Sequence, residues 1–348
     1  MDIPTNKAGA ATDAALHKKM LQLLSALWTT RAIGAFARLD LADAIEDGAD
    51  DPASIAQLRN LNADRVYRLL RARSTLGIVT ETAADHFALT PLSGLLSSRS
   101  PQSMRSAAIL LTGYLGDMWG KHAVAGEQVA FESMTGQPLF AWLAGRPEAA
   151  ARFHRMMVEV HGSETPAIIA TYDFAGFQHI VDVGGGSGSL ISAILAAFPG
   201  RRATLFDLPE AIALAQHGEG GPLPGVTMYA GDVFKAVPDG GDAYLLRHVM
   251  HDFDEDDCRR ILVNVRRAMA PQARVLVLEA PVPLTPTPGP GRWLDLHMMS
   301  LANGRERSLN DYARLFADAG LRLARTLPTQ HPAMTVIEAV AATARRAP

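Results

Sequence analysis

One cysteine, Cys258, is all that the 348 residues contain. That excludes a disulfide framework within the chain and suits a reducing compartment. Excess charge of either sign is equally scarce. Lys and Arg number 33 against 36 Asp and Glu, a formal net charge of −3, so nothing global draws the chain to nucleic acid or to an anionic membrane. No apolar run approaches the ~20 residues that span a bilayer. The opening stretch, MDIPTNKAGAATDAALHKK, lacks the apolar core of a signal peptide, and no internal repeat or low-complexity tract follows it. These absences lead to the expectation of a soluble, cytoplasmic protein.

What is present is ample apolar material, 48% of the residues, in a chain long enough for two domains. Residues 1 to about 12 are small and polar and read as a loose tail. Leu16, Met20, Leu23, Leu24, Leu27 and Ile33 then recur at helical spacing, with Trp28 and Phe36 added. LADAIED, DPASIAQLRNLN and ADRVYRLLRARSTLG read as three helices, and the last runs into a hairpin ending at HFALTPLSGLL. Helix, helix, helix and a two-stranded wing make a winged helix, a frequent DNA-binding arrangement. Arg59, Arg65, Arg68, Arg71 and Arg73 lie in or near the third helix, yet residues 1–110 hold twelve Lys/Arg against eleven Asp/Glu. With no broad basic face, dimerisation or substrate capping fits better than DNA binding.

Residues 101–172 read as mostly helical. From His179 the texture changes to short apolar runs, HIVDVG, ATLFDL, VTMYAGD, AYLLRHV, ARVLVLEA, LRLARTL and TVIEAVA, most of them alternating with helical stretches. That pattern predicts an α/β fold, a parallel sheet with helices on both faces, closed by a reversed edge hairpin from the last two strands. The division expected is a winged-helix-like dimerisation domain over 13–100, a helical connector lining the substrate pocket over 101–172, and a cofactor-binding catalytic domain over 173–345.

The sharpest signal is Asp182-Val-Gly184-Gly185-Gly186-Ser187-Gly188, directly after the first of these strands. Ligands of open parallel sheets sit at the carboxyl ends of strands, and glycines let backbone approach them. A dinucleotide fingerprint fails on register, because counting G-x-G-x-x-G from Gly184 ends on Ser189. Two further acids end the next strands. Asp207, followed by Leu208, can accept from both hydroxyls of a ribose; Asp232, after Gly231, can accept from an adenine amino group with Val233 and Phe234 walling the ring.

The D-x-G-x-G-x-G loop resembles that of class I S-adenosylmethionine-dependent methyltransferases. The segment LLRHVMHDFDEDDCRRIL resembles the HDW-type segment of small-molecule O-methyltransferases, both the plant phenylpropanoid and flavonoid enzymes and their bacterial antibiotic-pathway relatives. FHRMM, VDVGGGSG, FDLP, GDVF, VLEAPVP and NGRERS match the same family in order, over nearly the whole chain. The resemblance implies a Rossmann-like methyltransferase domain and methyl transfer from S-adenosylmethionine to a hydroxyl of a small aromatic, phenolic or polyketide-like secondary metabolite, leaving S-adenosylhomocysteine. It implies His251 as general base, Glu279 and Glu306 orienting its ring, Asp252 as a second polar contact to substrate, and Arg247 near the adenine end of the cofactor. Trp119, Phe153, Met157, His161, Trp293, Met298, Met299 and Asn303 fall where the family lines its substrate pocket, alongside Asp295 and His297.

A base suits the chemistry, since a phenol of pKa ~10 is a poor nucleophile at neutral pH and an imidazole of pKa ~6.5 can take its proton. The sulfonium is already an activated leaving group, so no metal is expected. His248, His251, Asp252 and Asp254 fit no ligand spacing, and the magnesium-dependent catechol type lacks this N-terminal domain. Three departures stand out. Phe253 replaces the tryptophan of HDW. His154 stands where asparagine or aspartate is common. His161 stands near a serine that contacts the cofactor carboxylate, with Ser163 a substitute. Cys258 reads as core, and PVPLTPTPGPG at 281–291 as a loop over the site or simply on the surface. Two other readings keep the fold: a non-methylating reaction such as hydroxylation or decarboxylation, and a cofactor-binding winged-helix regulator. The chain is further expected to be a homodimer built on its N-terminal helices, with Trp28 or its neighbours reaching toward the partner's pocket.

Overall fold

The helical spacing near the start of the chain becomes one long helix, Lys7–Arg38, in a computed structural model that describes residues 7–121, 129–217, 223–283, 285 and 291–342. The loose tail is therefore shorter than expected, because residues 7–12 are rich in alanine and already belong to the helix. Leu16, Met20, Leu23, Leu24, Leu27 and Trp28 are all more than half exposed, whereas Phe36 is fully buried. Helices Leu41–Glu46, Pro52–Arg59 and Ala63–Ser74 follow, then an antiparallel hairpin of β1 (Val79–Ala83) and β2 (His86–Leu89). Asp51 and Asn62 cap the second and third of these helices by accepting backbone N–H groups. The order is the one read from the sequence.

Three arginines of the third helix are engaged in packing or pairing. Arg73 is fully buried over the Phe36 ring, Arg71 lies over Tyr67, and Arg68 pairs with Asp64. By contacts the chain forms two compact units, Met1–Asp117 and Met118–Pro348, so the 101–172 stretch is divided between them.

The second unit carries a seven-stranded sheet of β3 (His179–Val183), β4 (Arg202–Asp207), β5 (Val226–Ala230), β6 (Ala243–Arg247), β7 (Arg274–Glu279), β8 (Leu321–Pro328) and β9 (Thr335–Ala341), in the spatial order β5-β4-β3-β6-β7-β9-β8. β6 and β7 are buried almost throughout, as strands covered on both faces must be. The closing hairpin differs in one respect from the expectation. Only β9 runs against the others, and it lies one place in from the edge, between β7 and β8. β3 has β4 on one side and β6 on the other, so the chain reverses its winding there and opens a crevice at the carboxyl ends. No helix among the described residues is long and apolar enough to cross a membrane.

Candidate active site

The glycine turn leaves β3 at that crevice. Gly184, Gly186 and Gly188 have φ of +69°, +56° and +73°, the left-handed region that penalises any Cβ. A Cβ on Gly184 would also stand 2.8 Å from Val249. Asp207, at the end of β4, ties this turn to the next loop. Its carboxylate accepts Gly186 N–H at 2.8 Å and Leu208 N–H at 2.7 Å, and burial raises its pKa. Asp182 is 1% exposed, and neither of its oxygens has a hydrogen-bond partner among the described residues. Burial pushes its carboxyl up to about 7. An orphaned buried carboxylate is destabilising unless a donor, best a cationic one, meets it.

Asp232, beyond β5, accepts Phe234 N–H at 2.9 Å and keeps a third of its side chain exposed. Beside it, with Leu208 and Gly231, opens a cavity of about 520 Å³ whose far wall is Phe140, Ala141 and Ala144. Those three escaped the sequence reading, because a short apolar helix far from the sheet in sequence carries no motif. Val233 holds Asn264 through its carbonyl, and Phe234 meets Phe253 edge-on at 5.1 Å. Phenylalanine at 253 is thus a packing partner of Phe234.

β6 ends at Arg247, and a single tight turn, Met250–Asp252, presents His251, which is 6% exposed. Its Nδ1 lies 2.7 Å from Glu306 Oε1 and 3.7 Å from Glu279 Oε2, while Nε2 lies 3.7 Å from Asp252 Oδ1. Glu279 reaches the same turn through its other oxygen, accepting Met250 N–H at 2.9 Å and His251 N–H at 3.2 Å. A carboxylate at Nδ1 fixes the proton there and leaves Nε2 as the basic nitrogen. Burial alone would lower the histidine's pKa. Glu279, Glu306 and Asp252 override it and push the ring up to about 10, well above the ordinary imidazole expected from the sequence. Burial in turn raises Glu279, and it raises Asp252 to about 6.

Next to this turn lies a second cluster that the sequence reading missed. Glu164, 3% exposed, holds His161 Nδ1 at 3.0 Å, His248 Nε2 at 2.9 Å and Arg247 Nη2 at 3.1 Å. The two imidazoles face each other at 3.9 Å. Burial opposes ionisation of Glu164, yet the histidine hydrogen bonds hold it far below the usual carboxylate range. His248, at φ +54°, is pushed down to about 3 by burial and by His161. The spacing would suit a cation, but the Arg247 guanidinium already supplies the positive charge. Arg247 is therefore bound to Glu164, Thr165 and the His161 carbonyl at the end of helix Pro147–His161, where the resemblance had it near the adenine. Ser163 is exposed and meets His331 at 3.4 Å.

Of the pocket-lining candidates, Phe153 and Met298 are buried, Met157 and His161 half-buried, and Asn303 exposed with φ +58°. Trp119 donates its indole N–H to His297 Nδ1 at 3.2 Å, with the rings stacked. Burial and the His251 charge push His297 down to about 4, so it accepts as a neutral ring. Trp293 and Met299 remain exposed. Helix Gly291–Ala302 packs on the His251 turn. Of the proline-rich loop before it, residues 284 and 286–290 lie outside the described residues.

A winding reversal at a glycine turn, an orphaned acid beside it and acids ending the neighbouring strands define a class I methyltransferase, and these residues fit S-adenosylmethionine. The chain belongs to the O-methyltransferase family, whose domain matches residues 117–322. The phenazine O-methyltransferase PhzM of Lysobacter antibioticus is 35% identical over 338 residues, 96% of this chain and 98% of its own. The crystal structure of LaPhzM is similar with a TM-score of 0.90 at 34% identity, covering 94% of this chain and 99% of that one. NcsB1, an O-methyltransferase from neocarzinostatin biosynthesis solved with S-adenosylmethionine and 2-hydroxy-5-methyl naphthoic acid, is similar with a TM-score of 0.78 at 30% identity, over 90% and 96% of the two chains. S-adenosylmethionine is the methyl donor.

Proposed function

We propose that this enzyme methylates a hydroxyl on a small aromatic secondary metabolite, phenolic or polyketide-like, of the kind found in antibiotic biosynthesis, with His251 as general base. The observation that carries the reading is the 2.7 Å contact of Glu306 with Nδ1, which leaves Nε2 as the proton acceptor. S-adenosylmethionine, when bound, supplies a methyl group on a sulfonium, already activated for transfer. Asp182 is suited to its ammonium, Asp207 to the ribose and Asp232 to the adenine amino group.

A phenol ionises near ~10, and the three carboxylates raise His251 into that same range, so proton transfer from the substrate is not uphill. The same carboxylates stabilise the imidazolium that forms. They also keep His251 protonated in the free protein at neutral pH. At neutral pH only the fraction of the ring that has given that proton to solvent can accept the phenol's proton at Nε2. Asp252 lies where it can hold the substrate hydroxyl beside Nε2. The base ties the reading to a hydroxyl, since an amine attacks through a lone pair it already has.

The first helix, with its exposed leucines and Trp28, suits a homodimer interface, and residues 13–100 a dimerisation domain. Trp119, Phe153, Met157 and His161 make 101–172 the connector that lines the pocket, and 173–345 is the catalytic domain. The lone buried cysteine is compatible with the cytoplasm. Incubating the protein with methyl-labelled S-adenosylmethionine and a panel of phenolic and hydroxynaphthoic acids tests the reaction. Labelled methyl ether should form one for one with S-adenosylhomocysteine. S-adenosylhomocysteine released with no methylated acceptor would point to another reaction.

A further inference from the structure

Nearly every residue from Asn303 to Ser308 serves to seat this segment on the His251 turn. Asn303 turns the chain through a positive φ, and a Cβ on Gly304 would run into the His251 carbonyl oxygen. Arg305 N–H donates to that same carbonyl at 2.9 Å, and Glu306 reaches the ring. Asp295 accepts Glu306 N–H at 2.9 Å, and Ser308 caps the next helix. Arg307 is the remaining residue, and its side chain is fully buried. Nη1 donates to the Met250 carbonyl at 2.6 Å and Nη2 to the Phe253 carbonyl at 2.7 Å. Nε reaches Glu255 Oε1 at 3.3 Å, on the surface side.

We propose that Arg307 is a positioning residue for methyl transfer: its fork grips the carbonyls of Met250 and Phe253, which bracket His251 and Asp252, and so fixes where both side chains stand.

A fold that needed only a filled space there would use an apolar side chain. Burying a guanidinium is unfavourable unless its hydrogen bonds are met, and the two shortest met here flank the reacting pair. A planar fork can hold two carbonyls at a fixed separation, which a point charge cannot. Cys258 adds to the grip. Burial pushes its thiol up to about 12, so it stays protonated and donates to the Met250 carbonyl at 3.1 Å. The groups facing His251 are then Asp252 on its own turn, Glu279 from β7, Glu306 from the Arg307 segment, His248 after β6, and His297 from helix Gly291–Ala302. Tyr312 faces the two glutamates from behind.

The functional weight of this inference rests on His251 being the base; the positioning itself is measured without an acceptor. In protein labelled with ¹³C at histidine Cε1, the His251 resonance is assigned by its loss in His251→Gln and titrated by NMR. Arg307→Lys can hold one carbonyl at a time, so the turn loosens and His251 moves off its carboxylates. Its midpoint should fall from about 10 toward the ordinary imidazole value of ~6.5, with S-adenosylmethionine binding retained. An unchanged midpoint in a folded Arg307→Lys protein would reduce Arg307 to a support of the fold and overturn the proposal. If that variant does not fold, Glu255→Gln decides the matter, because Glu255 is half exposed and meets the guanidinium only at Nε, its other partner being the exposed side chain of Arg305 at 3.5 Å. It should move the midpoint the same way by less, and no movement would equally overturn the assignment. A base other than His251 would show itself separately, as turnover that survives His251→Ala.

Discussion

Glu164 and His251 show what single residues reveal along the chain and what they hide. His251 is legible because its neighbours in sequence, Asp252 and the strand before it, form a contiguous pattern. Glu164 carries no pattern, since two of its partners, Arg247 and His248, lie more than eighty positions away. The same holds for Arg307, whose partners are mostly carbonyls that any residue would supply. The resemblance already set Glu279, Glu306 and Asp252 about His251, but only the folded distances and charges show the ring raised above the ordinary imidazole expected from the sequence. The Glu164 cluster has a consequence for stability. The carboxyl is held below its ordinary pKa of ~4.5 in the folded protein, so its stabilisation is present above that pH and is lost as pH falls through the lower, folded value. Glu164→Gln should cost about 3 kcal/mol near neutrality, as removing one member of a buried ionic cluster does. Thermal melts should show the gap from wild type narrowing in acid, and a gap independent of pH would contradict the ionic account.

The strands were the most legible elements, because a buried parallel strand is a short continuous apolar run bounded by turns. The reversal of β9 could not be read with its position, since insertion between β7 and β8 depends on sheet pairing rather than on either strand's own residues. The helix Leu139–Ala144 was opaque for a related reason. Its part in the cavity beside Asp232 comes from where it packs. At the ends of β3, β4 and β5 the acids were legible as a set, and the structure adds that Asp207 also anchors the glycine turn through Gly186. Asp207→Ala should therefore weaken S-adenosylmethionine binding by about 1.5–3 kcal/mol, through lost charged hydrogen bonds and a loosened turn. Calorimetry returning wild-type affinity would mean that the ribose partner lies elsewhere.

At the scale of the whole molecule, the first helix carries an apolar stripe that no other described residue covers, with Leu24 at 65% and Trp28 at 76% exposure. Contiguous apolar surface of this kind marks an interface. Sedimentation at micromolar concentration should show a dimer, and Leu24→Glu with Leu27→Glu should shift it to monomer; a folded, active wild-type monomer would contradict this. The account as a whole turns on the proton at His251 Nε2, and the most direct measurement of it is methyl transfer by His251→Ala across pH. The variant should bind S-adenosylmethionine normally, because the glycine turn, Asp207 and Asp232 are intact. Its turnover should fall by roughly 10²–10⁴ at neutral pH, and the deficit should shrink as pH nears the ~10 at which a phenol ionises unaided. Near-normal turnover with an unchanged pH profile would contradict the account and leave positioning alone as the source of catalysis.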